Sequence, residues 1–294
     1  MPTTDPLTAR LSEVYAELPR GERAIVRVLL DDYPFAALGS LRALADRAQV
    51  SPPTASRLFN RLGWDGFADF QAAVRAQARE HDRSRLREFV TAEPGADGPG
   101  AEPQAVHRAA QELRAGFEGT LAAATGPLLA RVGELLAGAG RVWGIGGSLS
   151  ELAADYLVRQ LAGLRPGVAR VPDTPAARAR ILLDLDGADL LVAYDFRRYS
   201  EDTAAFVRAA RARGARLVLV TDAWESPLAD QAELLVRLPR EAAGPIAPLT
   251  HEVAVTELVL VAAAARLTGS AGRLETLDAL TAELTRARRT GASG

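Results

Sequence analysis

Hydrophobic residues recur at the three- and four-residue spacing of amphipathic helices through the first part of the chain. The pattern predicts three helices there, over residues 21–32, 41–49 and 52–62. Ser40 and Ser51 stand where they can cap the second and the third of these helices. Two short helices therefore meet across a turn of about three residues, which is the geometry of a helix-turn-helix.

The pattern changes after a segment that contains no large apolar residue. Residues 91–103 read TAEPGADGPGAEP, and this proline- and glycine-rich composition predicts a linker. Beyond the linker, β-type apolar runs alternate with amphipathic helices, as in a parallel sheet between two layers of helices. We therefore predict an α-helical domain over residues 1–90 and an α/β three-layer domain of flavodoxin-like type over residues 104–294.

The predicted sheet begins with a strand at residues 141–145, which runs into a glycine-rich turn at residues 146–150 and then into an amphipathic helix. A second strand is predicted at residues 188–194 and a third at residues 215–220. A helix over residues 201–213 connects these two strands. Ligands of such sheets bind outside the carboxyl ends of the strands, so the turns at those ends are the first place to look for a site.

Composition and charge exclude several classes of protein. The chain has no cysteine, which excludes disulfides, a thiol nucleophile, cysteine-ligated zinc and iron–sulfur clusters. Its three histidines stand far apart, so we predict no metal site and no cofactor. The N-terminus lacks the features of a signal peptide, and the apolar tract at residues 253–265 is too short to span a bilayer and contains Glu257. We predict a cytoplasmic protein that does not associate with membranes, in which this tract forms a buried helix.

The third predicted helix turns a polar face outward. Hydroxyl groups suit phosphates, an asparagine amide suits adenine, and guanidinium groups suit guanine or phosphate. The candidate DNA-binding residues on this face are Ser51, Pro53, Thr54, Ser56, Arg57, Asn60 and Arg61. An ordinary helical bundle with a solvated polar face has the same periodicity. Residues 1–90 hold 13 arginines against 12 acidic residues, so any DNA affinity must come from the local arrangement of charge.

The stretch LRALADRAQVSPPTASRLFNRLGWDGFADFQ resembles the helix-turn-helix of the RpiR family of bacterial transcriptional regulators. The typical pattern of that family is matched in order by Leu44, Ala45, Ala48, Val50, Ser51, Thr54, Arg57, Leu62, Gly63, Trp64, Gly66 and Phe67. The second half resembles the other domain of the family, the SIS (sugar isomerase) domain, so the resemblance covers almost the whole chain. It implies a double-stranded DNA operator as one partner and a small-molecule effector, a sugar phosphate or another anionic metabolite, as a second.

Candidate effector-binding residues follow the three predicted strands. The glycine-rich turn offers backbone N–H groups, hydroxyls and a helix N-terminus to an anion, although a tight turn needs glycine even without a ligand. Its GIGGS sequence matches the first SIS loop. The candidates are Gly146, Gly147, Ser148 and Ser150 in this turn, Asp195, Arg197, Arg198 and Ser200 after the second predicted strand, Thr221 after the third, and His251.

The loop after the second predicted strand departs from the family pattern. SIS domains that hold phosphosugars usually carry S-x-S-G-x-T at this position. In this chain Asp195 and Arg197 replace the two serines, Arg198 replaces the glycine, and Ser200 keeps a hydroxyl. The usual phosphate cup is therefore absent. Two guanidinium groups can hold a different anion, or one of them can pair with Asp195 and fill the space, which would leave a domain used only for dimerisation.

A DNA-binding regulator that senses a small anionic or polyhydroxylated metabolite, and is not an enzyme, explains both domains. A sugar-phosphate isomerase is the alternative, and it needs a general base, for which His251 and Glu252 near the mouth of the site are candidates. A cap by Thr250 and a helix-dipole role for Glu252 explain the same residues without catalysis. Helices over residues 104–124 and 274–288 can join copies into a homodimer or homotetramer. A dimer that binds DNA without an effector is a further alternative.

Overall fold

A computed structural model of the chain describes residues 6–31, 33, 35–77, 101–196, 199–222, 226–238 and 249–291. The chain divides into two compact units, Met1–Pro94 and Gly95–Gly294. Most of the predicted linker lies outside the described residues. A helix begins at Ala101, so the last three residues of that segment are helical.

The N-terminal unit consists of helices. They are α1 Pro6–Val14, α2 Arg20–Asp31, α3 Phe35–Leu38, α4 Leu41–Arg47, α5 Pro52–Arg61 and α6, described over residues 67–77, with a 3-10 turn at Tyr15–Glu17. The three helices predicted from the hydrophobic pattern correspond to α2, α4 and α5. Ser40 caps α4 by accepting from the Ala43 amide at 3.1 Å, and Ser51 caps α5 by accepting from the Thr54 amide at 3.4 Å.

Helix α5 is held by a buried aromatic cluster at its C-terminal end. The Phe59 ring lies 4.9 Å from both the Phe67 and the Phe70 rings, and Trp64 meets Phe70 edge-on at 4.9 Å. Arg10 of α1 lies over the Trp64 ring at 4.6 Å and donates to the Leu62 carbonyl. Helices α1 and α6 thus fix the end of α5.

The C-terminal unit alternates strands and helices. Its strands are β1 Val142–Gly146, β2 Val168–Arg170, β3 Leu190–Tyr194, β4 Arg216–Asp222 and β5 Leu234–Leu238. Its helices are α7 Ala101–Ala123, α8 Gly126–Gly138, α9 Glu151–Leu164, α10 Pro175–Asp184, α11 Glu201–Arg211, α12 Thr250–Ala264 and α13 Ser270–Gly291. The strands pair in parallel in the order β2-β1-β3-β4-β5, which is the flavodoxin-like order. The predicted fold class is confirmed.

Strand β3 shows why this sheet is the middle layer of three. Its residues are buried on both faces, and successive side chains point to opposite sides. Leu190, Val192 and Tyr194 pack into the cluster that contains α8, α9 and α12, whereas Leu191 and Ala193 pack into the cluster that contains α11. Each face of the sheet therefore carries its own apolar core.

The sequence prediction of the strands needs one correction. The strand predicted as the second is the third in chain order, because β2 and α10 lie between it and β1. Strand β2 has three residues, all half-buried at the edge of the sheet, so it lacks the apolar run that would have marked it. Helix α8 was not predicted either.

Helix α12 is the predicted buried helix, and Val255, Val259 and Ala263 are among its enclosed residues. Its N-cap is Leu249, and no side chain makes a capping hydrogen bond. The predicted cap by Thr250 is therefore wrong, since Thr250 already lies in the first turn. Among the described helices, none is long and apolar enough to cross a membrane.

Candidate DNA-reading helix and effector site

Helix α5 presents the polar face that the sequence predicts. Pro53, Arg57, Asn60 and Arg61 are exposed, and Thr54 and Ser56 are half-buried. The Ser51 and Thr54 hydroxyl oxygens lie 2.9 Å apart, and Arg57 Nη2 donates to Thr54 Oγ1 at 3.2 Å. This chain of contacts orders the start of the helix, whose residues contact base edges in a helix-turn-helix.

Arg61 also has a role inside the domain. Its Nε lies 2.9 Å from Oε2 of Glu22, a residue of α2 that is only 4% exposed. The ion pair fastens α5 to α2, and the Arg61 side chain remains 57% exposed. Periodicity could not show this contact, because Glu22 and Arg61 are distant in sequence.

The glycine-rich turn after β1 is a point of close approach between two loops. A Cβ on Gly146 would lie 2.7 Å from the Glu151 amide nitrogen at the start of α9. A Cβ on Gly147 would lie 2.8 Å from the Cβ of Ser200, which follows β3. Glycine is therefore required here by contact, and the turn lies where the strand order reverses between β1 and β3.

Asp195 ties the loop after β3 to the loop after β4. It is 2% exposed, and its carboxylate accepts from the Ser226 hydroxyl and, at 3.4 Å, from the Ser200 amide. The Ser226 amide in turn donates to Thr221 Oγ1 at 3.0 Å. Ser200 Oγ caps α11 by accepting from the Thr203 amide at 3.2 Å. These hydroxyl and carboxylate groups hold the two loops together.

The structure thus brings together Gly147, Asp195, Ser200 and Thr221 of the predicted effector site. Ser150 is buried at the start of α9, and its amide donates to the Gly147 carbonyl at 2.9 Å. Arg197 and Arg198 lie outside the described residues, as does the side chain of Ser148.

His251 and Glu252, the two residues expected near the mouth of the site, are not exposed there. Both are fully buried. The Nδ1 atom of His251 lies 3.0 Å from the Thr120 hydroxyl oxygen of α7, and its ring occupies the space that a Cβ on Gly116 would take. His251 is therefore a packing residue between α12 and α7.

Sequence reasoning missed Ser226 as a part of this site. The segment TDAWESPLADQAELLVRL, which contains Ser226, also resembles a segment of SIS domains, so it was the available signal. Asp222 ends β4, is 1% exposed, and accepts from the Tyr199 hydroxyl at 3.5 Å. No group of three or more metal-ligating side chains comes together in the part of the chain that the structure describes.

Asp195 gives the protein a specific pH dependence. Burial raises the pKa of Asp195 to about 6, with smaller increases from Asp222 and Glu201 and a partial decrease from the hydrogen bonds of Ser226 and Ser200. The folded state then binds more protons than the unfolded state between about pH 4 and pH 6, so stability falls as pH rises through that window.

We expect the Asp195→Asn variant to escape this loss. Its free energy of unfolding relative to the parent protein should rise by about 2 kcal/mol between about pH 4 and pH 7, because the amide carries no charge to desolvate. Denaturant unfolding of both proteins at several pH values measures the difference. If the free energies of unfolding of the two proteins changed in parallel with pH, the raised pKa of Asp195 would be contradicted.

Two protein-family models match this chain, one in each unit. The model described as a helix-turn-helix domain of the rpiR family matches residues 6–80, and the SIS domain model matches residues 135–266. Both fall on the segments whose motifs carried the resemblance, which is therefore confirmed. A search of curated protein sequences gives no match.

Two solved structures share this fold. The Vibrio vulnificus NanR protein complexed with ManNAc-6P has a TM-score of 0.62 at 17% identity, over 95% of this chain and 98% of that chain. The sugar isomerase domain of the RpiR transcription factor from Sphaerobacter thermophilus has a TM-score of 0.54 at 22% identity, over 59% of this chain and 97% of that chain.

Proposed function

We propose, from the premise that this chain belongs to the RpiR family of bacterial transcriptional regulators, that it is a regulator whose operator affinity is controlled by a small metabolite bound to its SIS domain. The observation that carries the proposal is the joining of two parts in one chain. An rpiR-type helix-turn-helix at residues 6–80 precedes a SIS domain at residues 135–266. DNA reading and ligand sensing are the two tasks that these parts perform.

Helix α5 is the proposed reading helix. Arg57 and Asn60 are exposed on it and carry the groups that suit guanine and adenine in the major groove. Ser51 and Thr54, whose hydroxyl groups lie at its N-terminal end, are the proposed phosphate contacts.

The proposed effector site lies between the glycine-rich turn and the loop that contains Asp195 and Ser200. The related NanR structure holds a sugar phosphate, ManNAc-6P, so sugar phosphates are the first class of effector to test. In this chain a buried carboxylate stands at the position of the first serine of the usual phosphate loop, and a phosphate at that point would be repelled. We therefore propose a small anionic or polyhydroxylated metabolite whose anionic group is held by Arg197 and Arg198 instead.

A regulator is favoured over an isomerase by the burial of both candidate bases. A general base must reach the proton that it abstracts, and His251 and Glu252 are fully enclosed. No catalytic role is proposed for either residue.

The proposed active form is a homodimer, or a homotetramer built from it, in the cytoplasm. Helix α13 carries a stripe of partly exposed leucines at helical spacing, namely Leu274, Leu277, Leu280 and Leu284. Such faces can pair about a two-fold axis, and a dimer that binds a palindromic operator needs its two α5 helices about 34 Å apart, one turn of DNA. Within each chain we propose residues 1–90 as the DNA-binding domain, 91–103 as the linker and 104–294 as the effector domain.

The experiment that tests the function begins with selection of binding duplexes from a random library by the full chain. We expect a palindromic consensus that binds at least about a thousandfold more tightly than a scrambled duplex at one stated salt concentration. A panel of sugar phosphates and sugar acids is then added to the complex. Release or tightening by one compound supports the sensor, whereas no consensus sequence would overturn the regulator.

Arg57→Ala tests the reading helix. We expect a loss of about 1 to 3 kcal/mol in binding to the selected operator, because a bidentate base contact disappears, with little change on the scrambled duplex. Fluorescence anisotropy titrations measure both. The control is Ser12→Ala, which changes an exposed residue of α1 whose hydroxyl bonds within its own helix at 2.8 Å. Equal losses on both duplexes would instead make Arg57 a phosphate contact.

A further inference from the structure

A groove between α2 and the turn that joins α4 to α5 concentrates positive charge in the N-terminal unit. Its lining contains four arginines, Arg20, Arg23, Arg27 and Arg47, together with Tyr15 and Gln49. None of the described residues that line it is acidic. Across residues 1–90 the arginines and acidic residues nearly cancel, so this groove is a local concentration of charge on a nearly neutral domain.

The groove lies beside the N-terminal end of the reading helix. Gly21, next to Arg20, approaches α5 so closely that a Cβ there would lie 3.2 Å from Cγ2 of Thr54. It would also lie 3.6 Å from Cγ1 of Val50, which lines the groove. The start of α2 and the start of α5 therefore face the same region of space.

The guanidinium groups of the groove differ in what already holds them. Arg27 donates to the Tyr15 hydroxyl at 3.0 Å, and its positive charge is attracted by the carboxylate of Asp31 on the same helix. Arg20 is exposed and Arg23 half-buried, and both belong to the first turn of α2, next to the contact with α5. Arg20 and Arg23 are therefore the two positions at which charge can be removed with the least disturbance of the fold.

We propose that this groove holds the phosphodiester backbone of the DNA strand that flanks the bases read by α5. Guanidinium groups form bidentate hydrogen bonds with phosphate oxygens, and an anionic strand is the partner that suits a groove whose described lining contains four arginines and no acidic residue. When the start of α5 enters the major groove of DNA, the sugar-phosphate backbone at the edge of the major groove passes beside the start of α5, where the arginine groove lies. The inference rests on the proposed DNA-binding function and adds to it the site that supplies the affinity shared by all sequences.

The test compares Arg20→Ala/Arg23→Ala with the parent protein on the selected operator and on the scrambled duplex over a range of salt concentrations. Each lost phosphate contact should lower affinity about eightfold at about 0.1 M salt, so the double variant should lose about 60-fold on both duplexes. The slope of log affinity against log salt should become less steep by about 2. The preference for the operator over the scrambled duplex should not change.

Two matched variants separate charge from folding. Arg20→Lys/Arg23→Lys keeps the charge and should keep most of the affinity and the salt slope. Arg180→Ala/Arg213→Ala removes the same charge from exposed positions in the C-terminal unit and should leave DNA binding unchanged. Circular dichroism melting checks that each variant is folded.

The outcomes distinguish this inference from the function on which it rests. The groove assignment is overturned if the alanine variant keeps the parent affinity and salt slope, or if it loses affinity for the operator alone. It is also overturned if the folded lysine variant loses as much as the alanine variant. If the parent protein binds all duplexes equally, the regulator fails, while the salt slopes still decide whether DNA occupies the groove.

Discussion

Replacing Arg165 with alanine is expected to lower the free energy of unfolding of the C-terminal unit by about 4 kcal/mol. Arg165 follows α9 and is 8% exposed. All three of its guanidinium nitrogens donate to backbone carbonyls. Nε donates to Pro166 at 3.1 Å, Nη1 to Leu136 and to Ala137 at 3.4 Å, and Nη2 to Ala139 at 2.5 Å and Gly140 at 2.9 Å.

Four of these five carbonyls, those of Leu136, Ala137, Ala139 and Gly140, belong to the C-terminal end of α8 and the residues just after it. The last carbonyls of a helix have no partner within the helix and carry partial negative charge, so a cation there satisfies both requirements. Alanine would leave several buried carbonyls without a donor, and each such loss costs about 1 to 3 kcal/mol. Lysine should recover only part of the loss, because its single ammonium group cannot reach all of these carbonyl oxygens at once.

The measurement is amide hydrogen exchange of peptides from β1 and β3 in increasing denaturant, which reports on this unit separately from the N-terminal unit. Arg159→Ala is the matched control. Arg159 lies on α9, the helix that Arg165 follows. It is 78% exposed and pairs with Asp155 at 2.7 Å, so its loss should cost under about 0.5 kcal/mol. Equal effects of the two substitutions would show that Arg165 does not cap α8.

Gly133→Ala is expected to destabilise the same unit by about 3 kcal/mol. Gly133 lies on α8 where that helix crosses α12, and a Cβ there would lie 2.6 Å from the Ala262 carbonyl oxygen. The atom that it meets is backbone, so the contact cannot be relieved by a side-chain rotation. The two helices would have to move apart, and the apolar core between α8, α12 and the sheet would loosen with them.

Gly138→Ala is the same substitution five residues later on the same helix. No atom lies within 4 Å of a Cβ at Gly138, so alanine there should be neutral or stabilise the helix by up to about 1 kcal/mol. Hydrogen exchange of β1 and β3 peptides again provides the measurement. The expected result is a loss of stability for Gly133→Ala and no loss for Gly138→Ala, and a stabilising Gly133→Ala would contradict the close crossing of α8 and α12.

The helix-turn-helix could be predicted from local sequence because its signals are local. Ser40 and Ser51 mark the starts of α4 and α5, and Gly63, with φ of 89°, allows the reversal after α5. The outward face of α5 follows directly from its buried stripe. The pairing of Arg61 with Glu22 does not, because it depends on how α2 packs across α5.

In the effector region, more of the arrangement depends on tertiary structure than on local sequence signals. The sequence placed Gly147, Asp195, Ser200 and Thr221 at the ends of predicted strands, and the structure brings them together because parallel strands end at one edge of a sheet. The structure also showed that the Asp195 carboxylate is engaged by Ser226, a residue that sequence spacing does not connect with it. That contact makes the Asp195 carboxylate a bridge between two loops.

The amino-acid sequence by itself determined the class of each domain, the caps and exposed face of α5, and the turns that end the strands, because periodicity, capping and turn chemistry act over a few residues. Only the tertiary structure decided which of those residues also make contacts within the protein, as Arg61 does with Glu22. The contacts join elements that are distant in the chain and adjacent in space, as they do at Arg165, Gly133, His251 and the arginine groove. Packing fixes such contacts, and no local pattern encodes them.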